Sequence, residues 1–72
     1  MNRPDYRKIL TTNIRTRREA MGLSLAETAQ RSGIPVKMLE TLEQDIIPPE
    51  MLITDVFYLA QIFHCETYEL FK

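Results

Sequence analysis

The chain reads as all-α, a compact bundle of five short helices. Three observations lead there. Only two glycines occur in 72 residues, and neither sits in an alternating apolar run. Apolar residues recur at three- and four-residue spacing almost throughout. Each periodic segment is bounded by a recognisable start or stop signal. No strand pattern survives inspection, and there is neither an internal repeat nor a low-complexity tract. A chain of this length makes a single domain, 1–72, and buries only about 60% of its unfolded surface, so each large apolar residue weighs heavily.

The first helix is expected from about Asp5 to Met21, and its apolar positions Ile9, Leu10, Ile14 and Met21 have roughly helical spacing. Gly22 follows as its stop, because glycine accepts the left-handed geometry of a helix end. The second runs from Ser24 to about Ser32. Its opening "SLAE" is a capping box, in which Ser24 accepts from the Glu27 amide and Glu27 reaches back to the Ser24 amide. Leu25, Thr28 and Ala29 can face inward, and Gly33 ends the helix.

The third helix starts near Pro35, a residue tolerated in a first turn, and runs to about Gln44. Met38, Leu39 and Leu42 form its inner stripe, leaving Val36, Lys37, Glu40, Thr41 and Gln44 outside. Consecutive prolines in "IIPPE" make residues 45–50 a loop. The fourth helix is expected from about Met51 to Phe63, with Val56, Leu59, Ala60 and Phe63 on its core face. A short last helix, Thr67 to Phe71, closes the domain through Leu70 and Phe71.

Composition narrows the function classes. The single cysteine, Cys65, excludes an intramolecular disulfide, and no cysteine–histidine spacing resembles a zinc site, so neither metal nor cofactor is expected. No apolar run approaches membrane-spanning length, and "MNRPDYRKIL" lacks the apolar segment of a signal peptide. Met1 reads as a natural start and the cytoplasm as the expected location. His64 and Cys65 are adjacent, but chain neighbours do not generally present both side chains to one site, and no third group is at hand to orient them. With no glycine-rich phosphate loop and no paired catalytic carboxylates, an enzyme is not expected.

The net charge is −1, yet its distribution is lopsided. Residues 1–37 hold eight basic against three acidic residues, and residues 38–72 one basic against seven acidic. A basic half can supply an anion-binding face even when the total is acidic. The competing reading is an ordinary solvated surface on which folding mixes the charges.

The informative unit is the second helix, the Gly33 turn and the third helix, about 24–44. Two short helices joined through a glycine-bearing turn make a helix-turn-helix, whose second helix is the one offered to a major groove. Ala29 supplies a small residue where the helices approach, and Ile34 plugs the core just past the turn.

The ordered pieces "IRTRREAMGLS", "LAETAQRSGI", "LETLEQ" and "LAQIFHCETYEL" resemble the Cro/phage-repressor, or XRE, type of helix-turn-helix domain across Ile14 to Phe71. The resemblance implies a five-helix lambda-repressor-like fold that binds double-stranded operator DNA as a homodimer. It implies that Arg18 and Glu43 form a structural ion pair, and that Ser24 lies where backbone amides approach a phosphate. It makes Val36, Lys37, Glu40, Thr41 and Gln44 the outward recognition positions, with Arg31 and either Arg15 or Arg17 near phosphate. This chain departs from the family pattern at several points. Leu25 stands where many relatives have a phosphate-contacting glutamine, and Pro35 where they have serine or threonine. Gln44, Asp45, Ile46 and Ile47 replace a glycine and basic residues, and His64 replaces the glycine after the fourth helix, so a histidine must take the left-handed cap.

Ile46, Ile47, Met51, Leu52, Ile53, Phe57, Tyr58, Ile62 and Tyr68 exceed what one thin core needs, and about half are expected to remain exposed as an interface. Ile46, Ile47, Met51, Leu52, Tyr58 and Tyr68 are the candidate dimer surface. In the alternative reading the chain is a protein–protein interaction module with weak or no DNA binding, and the same patch takes another protein.

Overall fold

A computed structural model describes residues 3–72. Met1, read above as the start, lies outside the described residues, as does Asn2 of the expected domain. Four α-helices follow in order: α1 (Tyr6–Ala20), α2 (Leu25–Ser32), α3 (Val36–Glu43) and α4 (Ile53–Ile62). A 3-10 helix, Thr67–Phe71, closes the chain, so the expected fifth helix is present in the tighter form. Five residues form fewer than two turns, and 3-10 geometry is common in pieces that short. The last helix has the expected bounds, and the expected ends of α1, α3 and α4 each retreat by one or two residues into capping positions.

The caps explain where each helix begins. The Asp5 carboxylate accepts from the Lys8 amide at 3.3 Å. At α2 both halves of the capping box form: the Glu27 amide donates to Ser24 Oγ, and the Ser24 amide donates to Glu27 Oε1, each at 3.0 Å. At α4 the Leu52 amide donates to Asp55 Oδ2 at 2.9 Å. Pro35 precedes α3, and its carbonyl accepts from the Met38 and Leu39 amides at 3.0 and 3.2 Å.

Three helix ends share one device. Leu23, Ile46 and Cys65 donate their amides back five residues, to the carbonyls of Arg18, Thr41 and Ala60. The residue before each of them is left-handed: Gly22 (φ 67°), Asp45 (φ 61°) and His64 (φ 55°). This is the Schellman arrangement, which satisfies carbonyls that a helix end would otherwise leave open. The left-handed conformation anticipated for His64 is present, and Asp45 adopts it too. The end of α2 is simpler, with Gly33 (φ 77°) donating to the Ala29 carbonyl at 2.8 Å.

The core consists of Leu10, Ile14, Leu23, Ile34, Leu39, Leu42, Val56, Leu59, Ala60, Phe63 and Leu70. α1 packs on α3 and on the 3-10 helix, α2 on α3 and α4, and α4 on the 3-10 helix. Met21, an apolar position of the helical pattern, is exposed because α1 ends one residue earlier and the chain turns at Gly22. Thr11 takes a buried place on α1, and Thr28 on α2. Both hydroxyls have partners: Thr28 donates to the Ser24 carbonyl at 2.8 Å, and Thr11 lies 3.1 Å from the Lys8 carbonyl and 3.0 Å from Asp45 Oδ1. A buried polar group without a partner costs about 1–3 kcal/mol, so these bonds are what makes threonine tolerable there.

Candidate nucleic-acid interface

The α2–turn–α3 unit is built from the local signals in order. Ser24 starts α2, Gly33 stops it in the left-handed region, Ile34 buries itself in the core, and Pro35 launches α3. Ser32 steadies the turn, its hydroxyl accepting from the Ile34 amide at 3.1 Å. Because Leu39 and Leu42 face the core, the opposite face of α3 is fixed by the helical period. Val36, Lys37, Glu40 and Gln44 are exposed on it. Thr41 is half-buried, and its hydroxyl donates to the Lys37 carbonyl at 3.0 Å, leaving the oxygen's lone pairs and the methyl for any outside contact.

Ser24 is exposed, but its amide and hydroxyl are both engaged by Glu27. The Glu27 carboxylate itself sits at the positive end of α2. The Ser24 amide, then its hydroxyl, and more weakly the charge of Arg31 hold its pKa below the ordinary glutamate value. The place that the resemblance offers to a phosphate at Ser24 therefore already carries an anion.

The charge lopsidedness along the sequence is partly cancelled in three dimensions. Three arginines of α1 each meet an acid from the other half: Arg15 with Asp45 at 3.3 Å, Arg17 with Glu69 at 3.6 Å and Arg18 with Glu43 at 2.9 Å. Packing of α1 on α3 and on the 3-10 helix brings them together. Arg15 and Arg17, expected as candidates for phosphate contact, are thus engaged within the fold. Arg15 also donates to the carbonyl of Glu43, the last residue of α3, at 3.2 Å. A cation there is favourable against the negative end of the helix dipole. On the helix-turn-helix itself Arg31 and Lys37 are exposed, and among the described residues neither has an acid within 4 Å.

Arg18 joins three segments. Its Nε donates to Glu43 Oε1 at 2.9 Å and its Nη1 to the Leu23 carbonyl at 2.7 Å, while Nη2 lies 3.9 Å from Glu19. The side chain is mostly shielded, and its contacts tie α1, the Gly22 turn and the end of α3 to one another.

The apolar residues set aside as surplus divide. Ile47, Met51 and Ile62 pack against the core, whereas Ile46, Leu52, Ile53, Phe57, Tyr58 and Tyr68 are exposed. More of them reach solvent than expected, because α4 starts at Ile53 and its helical period turns Ile53 and Phe57 away from Val56 and Leu59. Leu52, Ile53, Phe57 and Tyr58 expose between 47% and 63% of their area along α4 and its cap. The candidate dimer residues do not share one depression. Ile46 and Ile47 line one with Asp5, Arg7 and Lys8, whereas Tyr58 lines another with Phe57 and Cys65.

Cys65 is half-buried against the core. Burial pushes its thiol pKa up, Glu69 and Glu66 add to this, and Arg17 opposes it, so the sulfur is a poor nucleophile. Sequence reasoning missed the cluster of Thr11, Arg15 and Asp45. The available signal was Asp45 itself, since aspartate tolerates the left-handed position that a helix end requires.

Among the described residues no helix is long and apolar enough to cross a membrane. In comparisons with known proteins, no curated protein sequence matches the chain. Among solved structures it is similar to the crystal structure of a hypothetical transcription factor, NHTF, from Neisseria, at 21% identity and a TM-score of 0.83. That match covers 100% of this chain and 84% of the other, and it establishes the likeness of fold. The model of the helix-turn-helix domain family matches residues 13–54, from α1 through the start of α4, and the chain belongs to that family.

Proposed function

We propose that the chain is a sequence-specific, DNA-binding transcriptional regulator that works in the cytoplasm as one domain and as a homodimer, with α3 in the major groove of operator DNA. The observation that carries this reading is the exposed face of α3, presented by a glycine-turned helix pair in a chain of the helix-turn-helix family. The resemblance to a hypothetical transcription factor supports it at the level of fold.

Base readout would fall to Lys37 toward guanine, Glu40 toward the cytosine amino group, Gln44 toward adenine, and Val36 or the Thr41 methyl toward a thymine methyl. Arg31 and Lys37 would neutralise phosphate, the source of most non-specific affinity. Two exposed cations on each helix-turn-helix make a weak electrostatic hold, so a second subunit roughly squares what one contributes, and Glu40 trades affinity for selectivity. Ser24 takes part through the end of α2 only where phosphate displaces Glu27. The activity is binding, with no catalytic step.

The reading is tested by adding duplex DNA to isotopically labelled protein and following backbone amide resonances. Shifts concentrated at Val36, Lys37, Glu40 and Gln44 support it, and shifts absent from α3 at low salt refute it.

A second reading is favoured by one specific observation, the exposed row Leu52, Ile53, Phe57 and Tyr58. In that reading the fold is a protein–protein interaction module. In the first reading the row belongs to the dimer surface.

A further inference from the structure

We propose that Asp45 is a built-in restraint on DNA affinity, acting by holding Arg15 away from the phosphate backbone; this rests on the DNA-binding reading above. Asp45 follows the last turn of α3, one residue after Gln44, an expected recognition position. Its backbone is left-handed, and that conformation points its carboxylate back at α1. Oδ1 there receives the Thr11 hydroxyl at 3.0 Å and Arg15 Nη1 at 3.3 Å. The same Nη1 lies 3.2 Å from the Glu43 carbonyl, so the guanidinium is lodged against the C-terminal end of the recognition helix.

Two features make this a restraint rather than a buried fixture. The Arg15 and Asp45 side chains retain 31% and 39% exposure. An ion pair that open is weak and exchangeable. A phosphate oxygen is the same kind of charged acceptor for Arg15 Nη1 as Asp45 Oδ1, so the carboxylate competes directly with DNA. Asp45 is thus a positioning residue: it decides whether the cation at the end of α3 serves the fold or the ligand. Its own negative charge beside the helix end also repels the backbone that Arg15 would otherwise attract.

The test is titration of labelled duplex DNA over a range of salt concentrations with wild type, Asp45→Gly, Asp45→Asn and the double variant Arg15→Gln/Asp45→Gly. Glycine and asparagine both accept a φ near 61°, so the turn persists, and thermal melts confirm folding of each variant. Releasing one cation to phosphate predicts a salt slope steeper by about 1 and, at low salt, an affinity higher by roughly three- to tenfold for Asp45→Gly. Asp45→Asn gives a smaller gain of the same sign, and the double variant returns to the wild-type slope. An unchanged slope in Asp45→Gly, or a gain that persists undiminished in the double variant, overturns the proposal while leaving the DNA reading intact. If no variant binds duplex at any salt concentration, the DNA reading falls and this inference with it.

Discussion

Arg18 grips Glu43 across the domain, Nε to Oε1 at 2.9 Å, while its Nη1 donates to the Leu23 carbonyl at 2.7 Å. The Arg18 side chain is only 15% exposed, so removing its partner leaves a partly desolvated charge. Charge-assisted bonds of this kind contribute about 1.5–3 kcal/mol. Glu43→Ala should therefore lower the melting temperature by roughly 8 °C or more in a domain of this size. Arg18→Lys should cost nearly as much, because an ammonium cannot serve two acceptors held in the fork geometry of arginine. Thermal unfolding followed by circular dichroism checks both. A loss below about 2 °C for Glu43→Ala would remove the pair from any account of how α3 is held.

The two non-glycine left-handed caps should respond differently to glycine. His64 is exposed at φ 55°, so His64→Gly should stabilise the domain by up to about 1 kcal/mol through relief of the left-handed penalty. Asp45→Gly gains the same relief but loses the bonds from Thr11 and Arg15. It should therefore end up less stable than His64→Gly by about 1 kcal/mol. Chemical denaturation of the two variants, compared at equal slope, measures the difference directly.

Glu27 should make stability pH-dependent. Its pKa is lowered in the folded state by the Ser24 amide and hydroxyl. A carboxylate of lowered pKa contributes stability that is fully present above its unfolded pKa and is lost as pH falls through the folded one. The melting-temperature gap between wild type and Glu27→Gln should therefore be constant at neutral pH and close as pH drops below the ordinary glutamate range. A gap that stays the same down to strong acid would show that the capping box works without its charge.

The α4 row supports a prediction about assembly. Phe57 is half-exposed and outside the core, so Phe57→Ser should leave the melting temperature of the monomer nearly unchanged. Exposed apolar area of this extent ordinarily marks an interface. Light scattering over a concentration series should show a dimer for wild type and a shift toward monomer for Phe57→Ser combined with Leu52→Ser. A wild-type monomer at every concentration would assign the row to a different partner.

Much of the fold was legible because its signals are local. The Ser24–Glu27 box, the Gly33 stop and the Val56, Leu59, Ala60, Phe63 face each depend on residues a few positions apart. Helical period and capping act at that range, so a linear reading finds them. What was not legible depends on packing. Arg15 and Arg17 looked available because their partners, Asp45 and Glu69, lie far along the chain and meet them only after α1 docks. Met21 fits the helical spacing, but α1 ends at Ala20 and the Gly22 turn carries Met21 outward. The recognition face of α3 was readable from period alone. Its electrostatic setting was not, since that depends on which charges the rest of the fold has already paired.

Among these measurements, titration of labelled duplex DNA with wild type, Lys37→Glu and Arg31→Glu tests most directly whether α3 meets DNA. Lys37 and Arg31 are the exposed cations of the helix-turn-helix with no acid within 4 Å among the described residues, so neither substitution breaks a salt bridge of the fold. Wild-type binding should weaken with salt, and each variant should lose roughly tenfold or more as a cation becomes a repelling anion. Wild-type binding that both variants retain in full, or no binding to any duplex at low salt, would contradict the DNA reading.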